Sequence, residues 1–461
     1  MKLRLLDQSY ETFLDTTIIV SGWILTVRTQ KDITFIKLND GSNTKGIQLI
    51  ASSNLASLGT GCSVKASGKL VKSPAKEQPY ELQVESLEIL GLSNIDEYPL
   101  SKGKLPMDYL RRYAHLRTRT SSFGSIFRIK SAISHATHLF FHERNFHHIN
   151  PNIVTVNECE GGAGVFQLTE RDISDPKSLP LNKETGAYDW SKDHFDRPAF
   201  LTVSSQLGLE ALACSLGSVY TTNKSFRSEH SSTNKHLSEF EHLEIEDVFI
   251  TLDDLMQTGE EYIKYVGDYL LKHSWEEIDN LGKFVSKGLR ERIQTITQSP
   301  FTRIMYCEAI EIVKNANGLS KPPVYGDDLC SEYENYLTDY FKGPVFVSHW
   351  PSAIKSFYMK QSVDSVGNPI CENFDLLMPY KVGELIGGSM REDNLDVMLG
   401  VMKDRKISQE PLEFYLDTRR YGTVPHGGFG LGLDRMCMMF TGMDNIKDVV
   451  AFPVHFKNCN Y

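Results

Sequence analysis

The chain has 461 residues, of which 41% are hydrophobic, 23% charged and 10% aromatic, enough apolar material for more than one ordinary domain. Its net charge of -10 excludes a histone-like or non-specific nucleic-acid binder, although a local basic or stacking surface can still serve RNA.

From Thr16 to Leu92 the runs TTIIVSGWIL, ITFIKLNDG, GIQLIAS, CSVKASGKLV and YELQVESLEIL alternate or stay apolar, which predicts five strands. Asp40-Gly41 and Thr60-Gly61 mark turns between them, and so compact a set fits an OB-fold barrel. The stretch SNIDEYPLSKGKLPMDYL is polar and carries two prolines, so it reads as a linker. The expected division is a barrel over 1–97, a linker over 98–118 and a second domain over 119–461.

Apolar spacing at Phe123, Ile126, Phe127, Ile129 and Ile133 predicts a helix near 120–144, followed by strand-like NFHHINPNIVTV with Pro151 inside it. Strand-rich segments are expected at 199–216, 219–227 and 237–250, and a mainly helical stretch at 251–342. Strands return at PVFVSHW, KSFYMK, NFDLLMP and VGELIGGS, then an amphipathic helix at 392–404 and a last strand-turn-helix. This order predicts an α+β domain, an antiparallel sheet flanked by helices. Neither a GxGxxG nor a GxxxxGK[ST] loop occurs, so a Rossmann or P-loop nucleotide site is unsupported.

The cysteines (Cys62, Cys159, Cys214, Cys307, Cys330, Cys371, Cys437 and Cys459) are scattered without a CxxC pair, which suggests a reducing compartment and no zinc site. No signal-peptide pattern opens the chain and no apolar run approaches the roughly 20 residues of a membrane helix, so a cytoplasmic location without membrane attachment is expected.

Three constellations carry chemistry. In FRSEHSSTNKHLSEFEHLEIE at 226–246, Arg227 would project from one strand of a hairpin, with Phe240 and Glu244 from the other. A guanidinium beside a ring can hold a phosphate and stack a base, although a solvated charged hairpin has the same composition. In HGGFGLGLDRMCMMFTG at 426–442, glycines let backbone pass close to a ligand before a helix begins at Arg435. In NFDLLMPYKVGELIGGSMRE, Asp375 and Glu384 on adjacent strands could share Mg²⁺ bridging nucleotide phosphates, and Arg391 could grip a carboxylate or an amide oxygen.

In this order the three segments resemble the signature motifs of class II aminoacyl-tRNA synthetases, nearest to the asparaginyl branch of the aspartyl/asparaginyl/lysyl subgroup, across essentially the whole chain. NFHHINPNIVT resembles the first motif, whose strand and Pro151 imply a homodimer interface. The resemblance implies ATP and Mg²⁺, with Arg227 on the α-phosphate, Phe240 stacked on adenine, and Arg435 on the γ-phosphate and the other adenine face. It implies Asp375 and Glu384 as metal carboxylates, and Glu229 and His236 as further ATP contacts. Glu160 in ECEGGAGVFQL would bind the substrate ammonium, and Ser204 and Gln206 in VSSQLGLEA would complete the amino-acid site. In the barrel, Phe35 would stack an anticodon base while Arg28 and Gln48 read base edges.

Aspartyl relatives resemble Ser-Pro-Gln-x-x-Lys where this chain has SSQLGLE, so Leu209 stands at the lysine position and Ser205 at the proline. That implies a neutral amide: Arg391 would donate to its oxygen and Glu210, on a strand, would accept from its NH₂. The implied activity is ligation of asparagine to tRNA(Asn) through an asparaginyl-adenylate. Departures from the family pattern are Asn223-Lys224-Ser225 before Phe226, Lys235 in place of a loop arginine, and EGGAGVF in the first glycine-rich loop. A paralogue that does not charge tRNA would usually lack the barrel, and a non-enzymatic tRNA binder should have lost Arg227, Arg391 or Arg435. An aspartyl enzyme of relaxed tRNA choice is opposed by Leu209.

Overall fold

The computed structural model describes residues 10–52, 55, 58–75, 78–100, 105–157, 164–231 and 233–461. They form two compact units, one of residues 1–130 with 274–287 and the other of 131–273 with 288–461.

In the first unit, β1 (Thr17–Gln30), β2 (Ile33–Asn39), β3 (Ile47–Ala51), β4 (Ser63–Lys72) and β5 (Tyr80–Gly91) close into a barrel of order β1-β2-β3-β5-β4. Alternation sends Val20, Ile36, Leu38, Leu49, Val64 and Leu82 inward, all completely buried, while residues between them face out. The stretch expected to be a linker holds two short helices, α1 (Met107–Arg111) and α2 (Ala114–Arg117). Helix α3 follows at Ser121–Glu143.

After α3 come three short strands, β6 (His147–His148), β7 (Val154–Thr155) and β8 (Gln167–Leu168), so Pro151 interrupts the expected strand. The segment expected as strand at 199–216 is mostly helix: β9 (Ala199–Leu201) gives way to α4 (Gln206–Leu216). Buried Gln206, Leu209, Glu210 and Ala213 recur at helical spacing, a period hidden in sequence by the apolar run before it.

The hairpin β10 (Val219–Phe226) and β11 (Glu239–Val248) leads into α5 (Leu252–His273), α6 (Trp275–Phe284, part of the first unit) and α7 (Leu289–Gln298). Strand β12 (Thr302–Met305) interrupts the stretch expected to be helical, before α8 (Tyr306–Lys314) and α9 (Ser331–Phe341). Then come β13 (Val345–Ser348), β14 (Gln361–Val363), β15 (Pro369–Cys371), β16 (Asn373–Met378) and β17 (Gly383–Met390). KSFYMK is not a strand; it follows a 3₁₀ turn at Ser352–Ile354 and lies ahead of β14. The chain closes with α10 (Leu395–Asp404), α11 (Glu413–Arg420), β18 (His426–Gly432) and α12 (Leu433–Thr441).

The main sheet has eight strands in the order β12-β13-β16-β17-β18-β11-β10-β6. Its interior pairings are antiparallel, and both edge strands attach in parallel. Helix α5 packs on it through buried Leu255, Met256, Tyr262, Ile263, Val266 and Leu270, one apolar stripe.

Candidate active site

The cleft lies over the middle of the sheet, where β11, β16, β17 and β18 run side by side. On β11, His242, Glu244 and Glu246 alternate with Leu243 and Ile245, which are completely buried on the other face. Two connected cavities of about 280 and 160 Å³ share Arg227, His242, Glu384, Gly387 and Gly430.

The first cavity contains Ser204, Gln206, Arg227, Asp375, Glu384 and Arg391 of the expected site residues. Arg391 extends from the end of β17 and is 4% exposed. Its Nε and Nη2 donate to the two oxygens of Glu246 at 3.1 and 2.5 Å, and its Nη1 donates to Ser389 Oγ at 2.7 Å. Among the described residues three of its five N–H groups are thereby engaged, which leaves two for a ligand. Burial raises the Glu246 carboxyl against the pull of Arg391. Both its oxygens nonetheless accept from one guanidinium, the geometry of an ionised carboxylate. Gly428 on β18 leaves room for this pair, since a Cβ there would lie 2.4 Å from Glu246 Cδ.

Ahead of α4, Ser204 Oγ donates to Glu244, and the Ser205 N–H reaches both Glu244 oxygens at 3.0 and 2.9 Å. Glu244 thus stands in the cavity wall as a fixed negative group beside His242, whose ring burial holds in its neutral form.

Glu210 departs from its expected place. It is completely buried on α4, outside the cavity lining, and all its partners are internal. Leu209 also points away, into a small apolar patch with Ala213 and Val219. The carboxylate that meets Arg391 inside the cavity is Glu246. Sequence reasoning missed it, although the alternation in EHLEIE places Glu244 and Glu246 on one face.

The second cavity contains Arg227, Glu229, His236, Phe240, Glu384 and Arg435. Arg227 follows β10, and its Cζ sits 5.4 Å from the centre of the Phe240 ring. Arg435, in the first turn of α12, donates from Nη1 to the Glu384 carbonyl oxygen at 2.6 Å. Asp434 anchors that turn by accepting the Glu241 N–H at 2.9 Å. His236 lies 3.8 Å from Glu229 and contacts Thr233, and Lys235 joins the same cavity.

Asp375 and Glu384 come together across the β16–β17 pair. A Cβ on Gly387 would lie 3.2 Å from Glu384 Oε1 and 3.7 Å from Asp375 Oδ1, so glycine keeps open the space both oxygens border. Burial, then the charge of Asp375, pushes Glu384 up to about 7. Lys355 pairs with Asp375 Oδ2 at 2.7 Å while lying 3.8 Å from the Trp350 ring centre, a contact no sequence motif announced. Two hard oxygens that resist joint ionisation suit Mg²⁺ held by one or two carboxylates and substrate phosphates. Among the described residues, no cluster of three or more His, Cys, Asp or Glu side chains forms a dedicated metal cage.

Glu160 lies outside the described residues. Arg28 and Phe35 are cross-strand partners on the outside of the barrel, with Arg28 Cζ 5.5 Å from the ring centre, and Gln48 is on neighbouring β3.

Comparison with known proteins bears on this geometry. Residues 106–455 match the family of class II tRNA synthetases (D, K and N), and residues 18–90 match the OB-fold nucleic acid binding domain. An asparagine–tRNA ligase of Clostridium tetani is 40% identical, with 98% of each chain covered. That of Treponema denticola is 42% identical over 94% of each. Among solved structures, asparaginyl-tRNA synthetase from Pyrococcus horikoshii complexed with asparaginyl-adenylate superposes with a TM-score of 0.85 at 29% identity, covering 100% of this chain and 99% of that one.

Proposed function

We infer the reaction from a plain premise: the chain belongs to the class II tRNA synthetases (D, K and N). It activates asparagine with ATP to asparaginyl-adenylate and pyrophosphate, then transfers asparagine to the 3′ end of its tRNA. The observation that carries the amino-acid choice is the Arg391–Glu246 pair in the cavity wall. An amide offers an oxygen for the remaining Arg391 donors and an NH₂ for Glu246. An aspartate would bring a second carboxylate against Glu246, a buried charge without its own partner. Glu246 therefore takes the acceptor role that the sequence assigned to Glu210.

The chemistry needs positioning and charge more than a general base. Glu244, held by Ser204 and Ser205, offers a negative group to the substrate ammonium, beside Gln206. The substrate carboxylate attacks the α-phosphorus in line, Arg227 stabilises the charge added there, and Arg435 holds the departing pyrophosphate. Phe240 gives a face for adenine, with Glu229 and His236 at the cavity's rim. Asp375 and Glu384 would hold Mg²⁺ against the nucleotide phosphates, where it neutralises their charge. Phe35, Arg28 and Gln48 present one aromatic and two polar groups for the anticodon of tRNA(Asn). Exposed Ile153, Val154 and Val156 beside Pro151 fit a homodimer contact. Among the described residues no helix is long and apolar enough to cross a membrane, in keeping with work in the cytoplasm.

ATP–pyrophosphate exchange with asparagine, aspartate and lysine in parallel tests the reading. Exchange driven by asparagine alone is expected, and better exchange with aspartate overturns it.

A further inference from the structure

Behind the Arg391–Glu246 pair lies a second layer of buried ions that the reaction above does not use. Glu210 and Arg419 are both at 0% side-chain exposure and pair at 2.8 Å. The same Glu210 oxygen accepts from Tyr415 Oη at 2.7 Å and lies 3.3 Å from His426 Nε2. Its other oxygen accepts from Gln206 Nε2 at 2.9 Å and stands 3.7 Å from Arg391 Nε. Arg419 is held from behind: Nε donates to the Glu392 carbonyl at 3.0 Å, Nη1 to Thr418 Oγ1 at 2.7 Å, and Tyr415 lies under it with its ring centre 4.1 Å away. Burial alone would raise Glu210, but Arg419, His426 and Arg391 outweigh it and hold the carboxyl well below its ordinary range.

An ion pair this deep stabilises a fold no better than well-packed apolar side chains of the same volume. Its effect is therefore sought in what it touches, which is two residues of the amino-acid cavity, Gln206 and Arg391. Arg391 faces two carboxylates, Glu246 in the wall and Glu210 behind, while Glu210 is itself matched by Arg419. The four ions balance before any substrate arrives.

We propose that Glu210 and Arg419 are positioning residues for amide selection: Glu210 fixes Gln206 and takes up the charge of Arg391, so the balanced site admits a neutral side chain and rejects an acid. This rests on the asparagine reading above. A substrate carboxylate would meet no surplus cation and would remain a buried, unmatched charge. Removing the charge of Glu210 leaves Arg391 shared with Glu246 alone, and an acidic side chain then gains a partner. Removing the charge of Arg419 instead makes the site more hostile to an acid.

The test uses the full chain and compares Glu210→Gln, Arg419→Gln and the double variant. In asparagine-driven ATP–pyrophosphate exchange, it reads the KM for asparagine and the inhibition constant of aspartate. E210Q is expected to lower the ratio of aspartate inhibition constant to asparagine KM about 10-fold or more, with kcat less affected. R419Q raises the ratio, and the double variant, balanced again, returns it toward the wild-type value. Equal loss of both affinities in E210Q, or a double variant that keeps the ratio of either single variant, overturns the proposal. Where E210Q does not melt cooperatively, the step from R419Q to the double variant decides: a fall in the ratio supports the proposal and an unchanged ratio overturns it. Wild-type protein that does not exchange with asparagine would sink the functional reading itself, a different result from any of these.

Discussion

At the side-chain end of the cleft, Arg391 is clasped by Glu246 and backed by the Glu210–Arg419 pair. At the nucleotide end, Arg227 and Arg435 face the second cavity with Glu384, and Asp375 borders Glu384 from the first cavity. At the first end both buried arginines, Arg391 and Arg419, are already paired with carboxylates. The second is half-buried, with carboxylates that burial pushes toward protonation. A pocket whose buried charges are already paired selects by refusing an added charge, whereas a half-open cleft lined by arginines and carboxylates gains stability when a polyanion and its counter-ion arrive. One cleft thus separates choosing the amino acid from holding the triphosphate.

The largest effect should come from breaking the first end. Arg391→Ala leaves Glu246 buried without its guanidinium, expected to cost about 3–5 kcal/mol in urea unfolding. Asparagine-driven exchange should disappear, while binding of a non-hydrolysable ATP analogue persists in calorimetry. Equal loss of nucleotide binding would show that the two ends are not separable.

Arg227→Ala strikes the other end. Exchange kcat should fall about 10²–10³-fold, as when one charge-stabilising donor is lost from an active site. Asparagine protection against limited proteolysis should be retained, and its loss would argue against the division.

Gly387→Ala places a methyl group 3.2 Å from Glu384 Oε1. The Mg²⁺ concentration for half-maximal exchange should rise about 10-fold, with the KM for asparagine unchanged. A shift in that KM instead would show that the carboxylates report to the side-chain end.

The smallest effect concerns pH. Glu384 is raised from 4.5 to about 7, so its favourable contribution is complete below pH 4.5 and is lost as the pH rises through about 7. Glu384→Gln should then gain stability relative to wild type as the pH rises from 4.5 to 8 in urea unfolding, by less than the full shift because Glu384 is open to solvent in the cavity, with the gap closing near pH 4.5. A gap that stays the same at both pH values would place the cost elsewhere.

Local pattern carried much of this molecule. The barrel was legible because one face of each strand is buried, which imposes strict alternation on Ile36, Leu38, Leu49 and Val64. The hairpin bearing Arg227 and Phe240 and the glycine-rich strand before Arg435 were legible because their composition is constrained by turns and close backbone approach. The apolar run entering α4 hid a helix, since Leu, Val and Ala serve strand and helix alike. That misreading put Glu210 on a strand and in the pocket.

The sequence by itself determined the types of groups available: arginines for phosphates, paired carboxylates for a cation, and an aromatic ring for a base. Only the tertiary structure decided which carboxylate meets Arg391. Glu246 and Glu210 lie 36 residues apart in a chain where either could have served, as their positions show. Their burial, the helical turn of α4 and the pairing of β11 with β18 put one in the cavity and the other behind it. Charge in a low-dielectric interior depends on distance and solvent access, and neither is written in local sequence.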